Sequence, residues 1–240
     1  EGRMQGDPDL IQQAADLLSQ AKRPAVMAGS QVWHCRAVGA LHDLAVKLQV
    51  PVYLNGAARG CMPADSPCYF SRSRKQALSR ADVAMVIGTP FDFRLAYGRR
   101  ISGEAKIIQV DLDFSELGHN RDVDIGIQGD AGAVLEQIGL ALSASGRDES
   151  WLKELRHIED EQRQKDQPCL YSEAVPIHPL RMAREIQEFM SEDSVFIADG
   201  GDVVTMSAGY ILPSRPGRWL DPGPLGTLGV GTPFAIAAKA

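Results

Sequence analysis

One recurring pair constrains this chain more than any other feature. A short segment that is apolar on both faces ends in a glycine or an acid, and an amphipathic stretch follows. Residues 24–28 run into Gly29-Ser30, 51–54 into Asn55-Gly56, 82–87 into Gly88, 105–110 into Asp111, and 123–127 reach Gly129-Asp130. A strand without a polar face must be covered on both sides, and helices between such strands enforce parallel pairing. The pattern therefore predicts an α/β fold built on a doubly wound, Rossmann-type parallel sheet. Helices are expected after Asp7-Pro8 (Leu10, Ala14, Leu17 and Leu18 form the apolar stripe), over 40–48, and over 131–142 behind Asp130 as cap. Ligands of open α/β sheets sit at the carboxyl ends of strands, so the glycines and acids closing these segments outline one potential crevice.

A second unit follows. Residues 143–150 read as a linker and 151–165 as a charged helix that Gln167-Pro168 ends; proline-punctuated chain then runs to Pro179. A helix over 180–190, a strand over 195–198, a loop from Asp199 and a helix over 205–211 begin another α/β unit. The boundary is placed near Asp166, giving units 1–165 and 166–240. The chain opens on Glu1 and stops at Ala240 within a helical pattern, so the second unit is expected to be truncated.

The 240 residues are 44% apolar and 23% charged, as a packed globular chain requires. A net charge of −6 argues against nucleic acid as partner, because that affinity rests on clustered cations. The basic run Arg72, Arg74, Lys75 and Arg80 reads as the solvated face of a helix. Apolar runs fall short of a membrane span, and the polar, acidic first ten residues do not resemble a signal peptide. Cys35, Cys61, Cys68 and Cys169 form no CxxC and read as free thiols of a cytoplasmic protein. Neither GxSxG nor HExxH occurs, the five histidines are scattered, and adjacent His34-Cys35 is read as structural, so no catalytic side chain is assigned.

The motif that carries chemistry is Trp219-Leu-Asp-Pro-Gly-Pro-Leu-Gly-Thr-Leu-Gly-Val-Gly-Thr-Pro-Phe-Ala-Ile-Ala-Ala-Lys239. Four closely spaced glycines, then Thr232-Pro233 as cap and first turn of an alanine-rich helix, describe a tight turn against a ligand. This segment resembles the start of the cofactor domain in thiamine-diphosphate-dependent enzymes of the acetolactate synthase, oxalyl-CoA decarboxylase and 2-hydroxyacyl-CoA lyase group. The resemblance implies that the Gly226 carbonyl accepts the 4′-amino hydrogen of thiamine and that Leu228 wedges beneath the bent cofactor. The bend brings the aminopyrimidine to the thiazolium C2 proton it must remove. Asp199-Gly-Gly-Asp-Val-Val204 is similar to the family loop near the diphosphate, which assigns Gly201 and Asp202 to the cofactor.

The first unit is similar to the same family's central domain. Residues 51–63 align with its Pro-Val to Gly-Lys-Gly-Ala-Phe-Pro stretch, 88–94 with Gly-Ala-Arg-Phe-Asp-Asp-Arg, and Val110–Asp113 and Gly129-Asp130 with later strand ends. The resemblance implies an FAD or ADP site at Gly29, Asn55, Gly88, Asp92, Arg94 and Asp111. Pro90 stands where the family has Arg, and Ser71-Arg-Ser-Arg-Lys75 replaces its Gly-Met-His-Gly loop. The expectation is thus a vestigial or ADP-type site, with an empty crevice as the alternative.

The family anchors its cofactor through Mg²⁺, held by a Gly-Asp-Gly-type motif and a later Asn. Only Asn55 and Asn120 occur, so no Asn follows Gly129-Asp130 or Gly201-Asp202, and the metal ligands are expected outside this chain. The function implied is an acetolactate synthase-like carboligase or lyase acting on 2-oxo acids, with a 2-hydroxyacyl-CoA lyase or oxalyl-CoA decarboxylase as the alternative. A homodimer or homotetramer is implied, and the 240 residues alone are expected to be inactive. The rival from another class is a nucleotide-binding regulatory module built on a deoxyhypusine synthase-like or sirtuin-like sheet. Residues 226–240 would have no use in it.

Overall fold

The computed structural model describes residues 2–142 and 149–240. Most of the expected linker, 143–148, lies outside the described residues. The first unit is a six-stranded, wholly parallel sheet of β1 (Pro24–Ala28), β2 (Val52–Leu54), β3 (Tyr69–Phe70), β4 (Val83–Ile87), β5 (Lys106–Asp111) and β6 (Ile125–Gln128). Its order is β3-β2-β1-β4-β5-β6, so the chain reverses direction across the sheet between β1 and β4. That reversal opens a crevice at the carboxyl ends of the two strands.

Six helices accompany the sheet: α1 (Pro8–Gln20), α2 (Gln31–His34), α3 (Val38–Leu48), α4 (Arg74–Arg80), α5 (Ala131–Ala141) and α6 (Ser150–Leu170). Side chains from α1, α3 and α5 (Leu18, Leu41, Leu48, Val134, Ile138) pack on Val26, Val52, Met85 and Ile108. Ala77 and Leu78 of α4 and Trp151, Leu152 and Leu155 of α6 cover Met27, Tyr53, Val86 and Ile107 on the opposite face. Alternate strand residues thus feed two cores, which is why neither face of β1 or β4 has a polar residue. Each fully buried Leu or Ile contributes about 1.5–3 kcal/mol by leaving water. Asp7 Oδ1 accepts the amides of Asp9 (2.9 Å) and Leu10 (3.2 Å), and Asp130 Oδ1 that of Ala133 (2.9 Å), as the cap readings require.

The second unit pairs β7 (Phe196–Ile197) with β8 (Trp219–Leu220) in parallel and carries α7 (Pro179–Phe189), α8 (Gly201–Ser207) and α9 (Gly231–Lys239). Its core holds Phe196, Ala198, Ile211 and Trp219, with the Phe196 and Trp219 rings 4.9 Å apart. His178 Nδ1 accepts the Leu180 amide (3.1 Å) and caps α7. Helix α9 buries none of its residues.

Three local expectations are corrected. Pro168 lies inside α6 and does not end it. Near a helix end the proline removes one late backbone bond, and Tyr171 N still reaches Gln167 O at 3.1 Å. The helix expected over 205–211 begins four residues earlier, because Gly200 (φ 74°, ψ 179°) turns the strand directly into it. That conformation belongs almost solely to glycine. The basic run is split: Lys75 and Arg80 are exposed on α4, whereas Arg72 and Arg74 are half-buried and turn inward.

The loop before α4 is held by α6, on the same face of the sheet. Glu159 of α6, 2% exposed, accepts the amides of Ser71 (3.0 Å), Arg72 (2.6 Å) and Ser73 (2.7 Å) and the Ser73 hydroxyl (2.8 Å) on one oxygen. Ser73 Oγ also shares a hydrogen bond with the Tyr53 phenol oxygen (Oη) at 2.8 Å, which ties the loop to β2.

Candidate functional site

Two sites lie at the strand ends. The first is the crevice between β1 and β4, where Gly88 and Asp111 meet one side chain, Gln31, and Gly29 packs against Thr89. Gln31 Nε2 donates to Asp111 Oδ1 (2.7 Å), and its Oε1 accepts the Leu112 amide (3.1 Å). Gly88 has φ 58°, and a Cβ there would lie 2.3 Å from Gln31 Cβ; one at Gly29 would lie 2.3 Å from Thr89 Cβ. The glycines therefore admit protein, with Gln31 and Thr89 packed where side chains would otherwise clash. Asn55 Oδ1 accepts the Gly56 amide (3.0 Å) and its Nδ2 approaches Thr89 Oγ1 (3.4 Å). The polar groups of this crevice hydrogen-bond within the protein. Asp92 lies elsewhere, capping the 93–98 turn through the Arg94 amide (2.9 Å) and gripping the Arg94 guanidinium (Nη2 2.7 Å).

The second site is a cleft of about 580 Å³ between the two units. Asn55 and Arg94 reach it from the first unit, and Gly201, Asp202 and Gly226 line it from the second. The second-unit wall is a held turn. Asp221 accepts Trp219 Nε1 (2.7 Å) and the Gly223 amide (2.8 Å), and the chain reaches Gly226 in the left-handed region at φ 63°. Asp199 Oδ1 accepts the amides of Gly229 (2.7 Å) and Val230 (3.0 Å) just ahead of α9. Between these two anchors Leu228 stands 69% exposed, its tip against Gly200, where a Cβ would come within 2.4 Å of Leu228 Cδ2. An apolar side chain held outward on a fixed turn presents a ready contact surface.

The opposite wall is cationic. Arg59 donates from Nη1 to Ala208 O (2.9 Å), lies 4.8 Å over the Trp219 ring, and leaves its buried Nε without a partner. Burial lowers the Arg59 pKa. Burial, and next the guanidiniums of Arg59 and Arg100, push that of Arg74 down to about 10. No ion pair joins Arg59, Arg74 or Arg100 to a carboxylate among the described residues. The described residues also contain no group of three or more His, Cys, Asp or Glu able to hold a metal.

Reading the sequence assigned the cofactor-side residues but missed Gln31, Arg59, Arg74, Arg100, Asp199 and Asp221. For Asp199, directly before Gly200, and Asp221, two residues before Gly223, the nearness of glycine was a usable signal. For the arginines there was none, since 59, 74 and 100 meet only through the fold.

The model of the thiamine pyrophosphate enzyme central domain matches residues 11–138. The chain is 38% identical over 231 residues to the acetolactate synthase large subunit IlvG of Mycobacterium tuberculosis, covering 96% of this chain and 42% of that protein. It is 36% identical over 244 residues to 2-hydroxyacyl-CoA lyase 2 of Homo sapiens, covering 98% of this chain and 38% of that protein. The chain thus spans about two fifths of the length of the curated relatives it matches.

Proposed function

Because the chain belongs to the thiamine pyrophosphate enzyme family through its central domain, we propose that it serves a thiamine-diphosphate-dependent carboligase or lyase of acetolactate synthase type, acting on 2-oxo acids. The observation that carries this reading is the held turn ending in left-handed Gly226 and outward Leu228. A bent, two-ring cofactor needs a polar backbone acceptor and an apolar wedge at fixed separation, and these two residues supply them. Gly201 and Asp202 face the diphosphate end. When bound, thiamine diphosphate supplies the carbon nucleophile that adds to a substrate carbonyl. This chain's residues orient it: the Gly226 carbonyl holds the 4′-amino proton, Leu228 maintains the bend, and Asp199 and Asp221 keep the turn in place. Mg²⁺ is proposed as the anchor of the diphosphate, its ligands coming from other residues.

A 2-hydroxyacyl-CoA lyase is the second reading, favoured by the Leu220-Asp-Pro-Gly223 turn. An oligomer, dimeric or tetrameric, and a cytoplasmic setting complete the proposal; four free thiols suit a reducing compartment. The Gln31 crevice is proposed to be a vestigial nucleotide site, because Gln31, Asp111, Asn55 and Thr89 already hydrogen-bond within the protein.

The test is turnover of pyruvate and of a 2-hydroxyacyl-CoA by the enzyme carrying this chain, with Mg²⁺ and with or without thiamine diphosphate. Thiamine-dependent turnover that falls at least tenfold in Leu228→Ala supports the reading; turnover indifferent to thiamine sinks it. The 240 residues alone are expected to consume neither substrate. Titration with FAD and ADP should show no binding to the wild type, and tight binding of either would overturn the vestigial assignment.

A further inference from the structure

Two segments of the second unit line the cofactor side of the cleft: the start of α8, with Gly201 and Asp202, and the turn after β8, with Gly226. They are separate in sequence, and one residue of the first unit touches the elements that carry both. Arg59, in the turn after β2, donates from Nη1 to the carbonyl of Ala208 (2.9 Å), directly behind the last turn of α8. Its guanidinium lies 4.8 Å over the ring of Trp219 in β8. Trp219 Nε1 donates to Asp221 (2.7 Å), whose other oxygen accepts the Gly223 amide (2.8 Å) on the way to Gly226. Asp221 also acts on the guanidinium electrostatically, against the burial that lowers its pKa. The carbonyls closing a helix lack helical partners and carry the negative end of its dipole, so a cationic donor there answers both. A planar guanidinium can do this while stacking on an indole, which a compact ammonium cannot match. Gly60 fixes the approach of the two units: its φ is 88°, and a Cβ on it would lie 2.5 Å from the Arg215 carbonyl oxygen. Residues 59 and 60 thus meet the second unit at 208, 215 and 219, and Arg59 uses Nη1 and one planar face on protein.

We propose that Arg59 is a positioning residue: it holds the carboxyl end of α8 and the start of the 219–226 turn at a fixed separation, so that Gly201, Asp202 and Gly226 are preset before a cofactor enters. The identity of that cofactor as thiamine diphosphate rests on the functional reading above; the hold itself does not. Without Arg59 the two segments keep their own anchors, Asp199 and Asp221, but lose this shared contact with the first unit. The arrangement that the cofactor needs then becomes one of several, and its apparent affinity falls with the fraction of molecules still holding it. Binding restores the geometry, so the saturated enzyme works as before. A residue that touched substrate would give the reverse pattern, a raised substrate KM at unchanged cofactor affinity.

The experiment compares the enzyme carrying this chain with its Arg59→Gln and Arg59→Lys variants in three measurements. These are thiamine diphosphate affinity by calorimetry with Mg²⁺, kcat and KM with pyruvate and with a 2-hydroxyacyl-CoA at saturating cofactor, and amide hydrogen exchange of the cofactor-free protein by mass spectrometry. Arg59→Gln should weaken cofactor binding about tenfold or more, as loss of a charge-assisted bond does, and leave kcat and KM within about threefold. Exchange should quicken over 201–212 and 219–226 and stay unchanged in β1 and β4. Arg59→Lys keeps a cation behind α8 and loses the planar stack, so its affinity loss should be smaller, about two- to fivefold. Should Arg59→Gln fail to fold, Arg59→Lys decides alone, with wild-type affinity and exchange overturning the proposal. Unchanged affinity and exchange in Arg59→Gln overturn it, and so does a raised KM at unchanged cofactor affinity. A wild-type enzyme that binds no thiamine diphosphate, with exchange that still quickens in Arg59→Gln, overturns the functional reading and leaves the hold of Arg59 intact.

Discussion

Replacing Glu159 with alanine tests whether α6 is part of the first unit's framework. One Glu159 oxygen accepts three successive amides, from Ser71, Arg72 and Ser73, at 2.6–3.0 Å, together with the Ser73 hydroxyl. The residue is 2% exposed, so water does not replace it freely. Each buried donor left unsatisfied costs about 1–3 kcal/mol. Three amides sharing one acceptor do not add fully, and some water will enter the space left by the side chain. A loss of about 3 kcal/mol is therefore expected, which for a chain of this size lowers the melting temperature by roughly 6–12 °C. Glu159→Gln retains one acceptor oxygen and should lose less than half as much. Thermal unfolding followed by circular dichroism, with urea titration alongside, measures both. A shift under about 2 °C for Glu159→Ala would refute the reasoning, because it would mean the 71–73 amides find other partners.

Gly88→Ala places a Cβ 2.3 Å from Gln31 Cβ at φ 58°. Left-handed strain alone costs about 1–2 kcal/mol, so a loss of more than 2 kcal/mol by urea unfolding is expected, and a neutral result would contradict the packed crevice. Asp199→Ala removes the acceptor of the Gly229 and Val230 amides. It should cost about 0.5–2 kcal/mol, as helix-cap losses do, and weaken thiamine diphosphate binding measured by fluorescence; unchanged binding would show that the turn stands without it. Burial pushes the Cys61 thiol from 9.0 to about 12. With the folded pKa above the unfolded one, this burial contributes stability that is complete below pH 9 and lost as pH rises toward 12. The difference in urea midpoint between wild type and Cys61→Ala should therefore narrow from pH 8 to pH 11, and a constant difference would refute the assignment.

The parts of this molecule legible in sequence are those whose cause is local. Apolar runs closed by Gly29, Gly88 and Asp111 predicted β1, β4 and β5 because a strand covered on both faces has no other composition. Asp7 and Asp130 could be placed at helix starts because a cap acts within three residues. The position of α8 was misread because its start depends on Gly200, whose φ of 74° is invisible until the chain is folded. The basic run was misread for a related reason. Four cations within nine residues look like one solvated face, yet only Lys75 and Arg80 follow that geometry, while Glu159 pins the 71–73 amides from 86 residues away and turns Arg72 and Arg74 inward. The cleft follows from that distant clamp. Without α6 laid across the sheet, the loop before α4 would have no reason to hold Arg74 beside Arg59, and the cationic wall facing Gly226 would not exist. The wall opposite Gly226 is thus a tertiary product, whereas the Gly226 wall itself is written in twenty consecutive residues. Recognition by motif could therefore reach the cofactor side of the cleft and not the side that meets it.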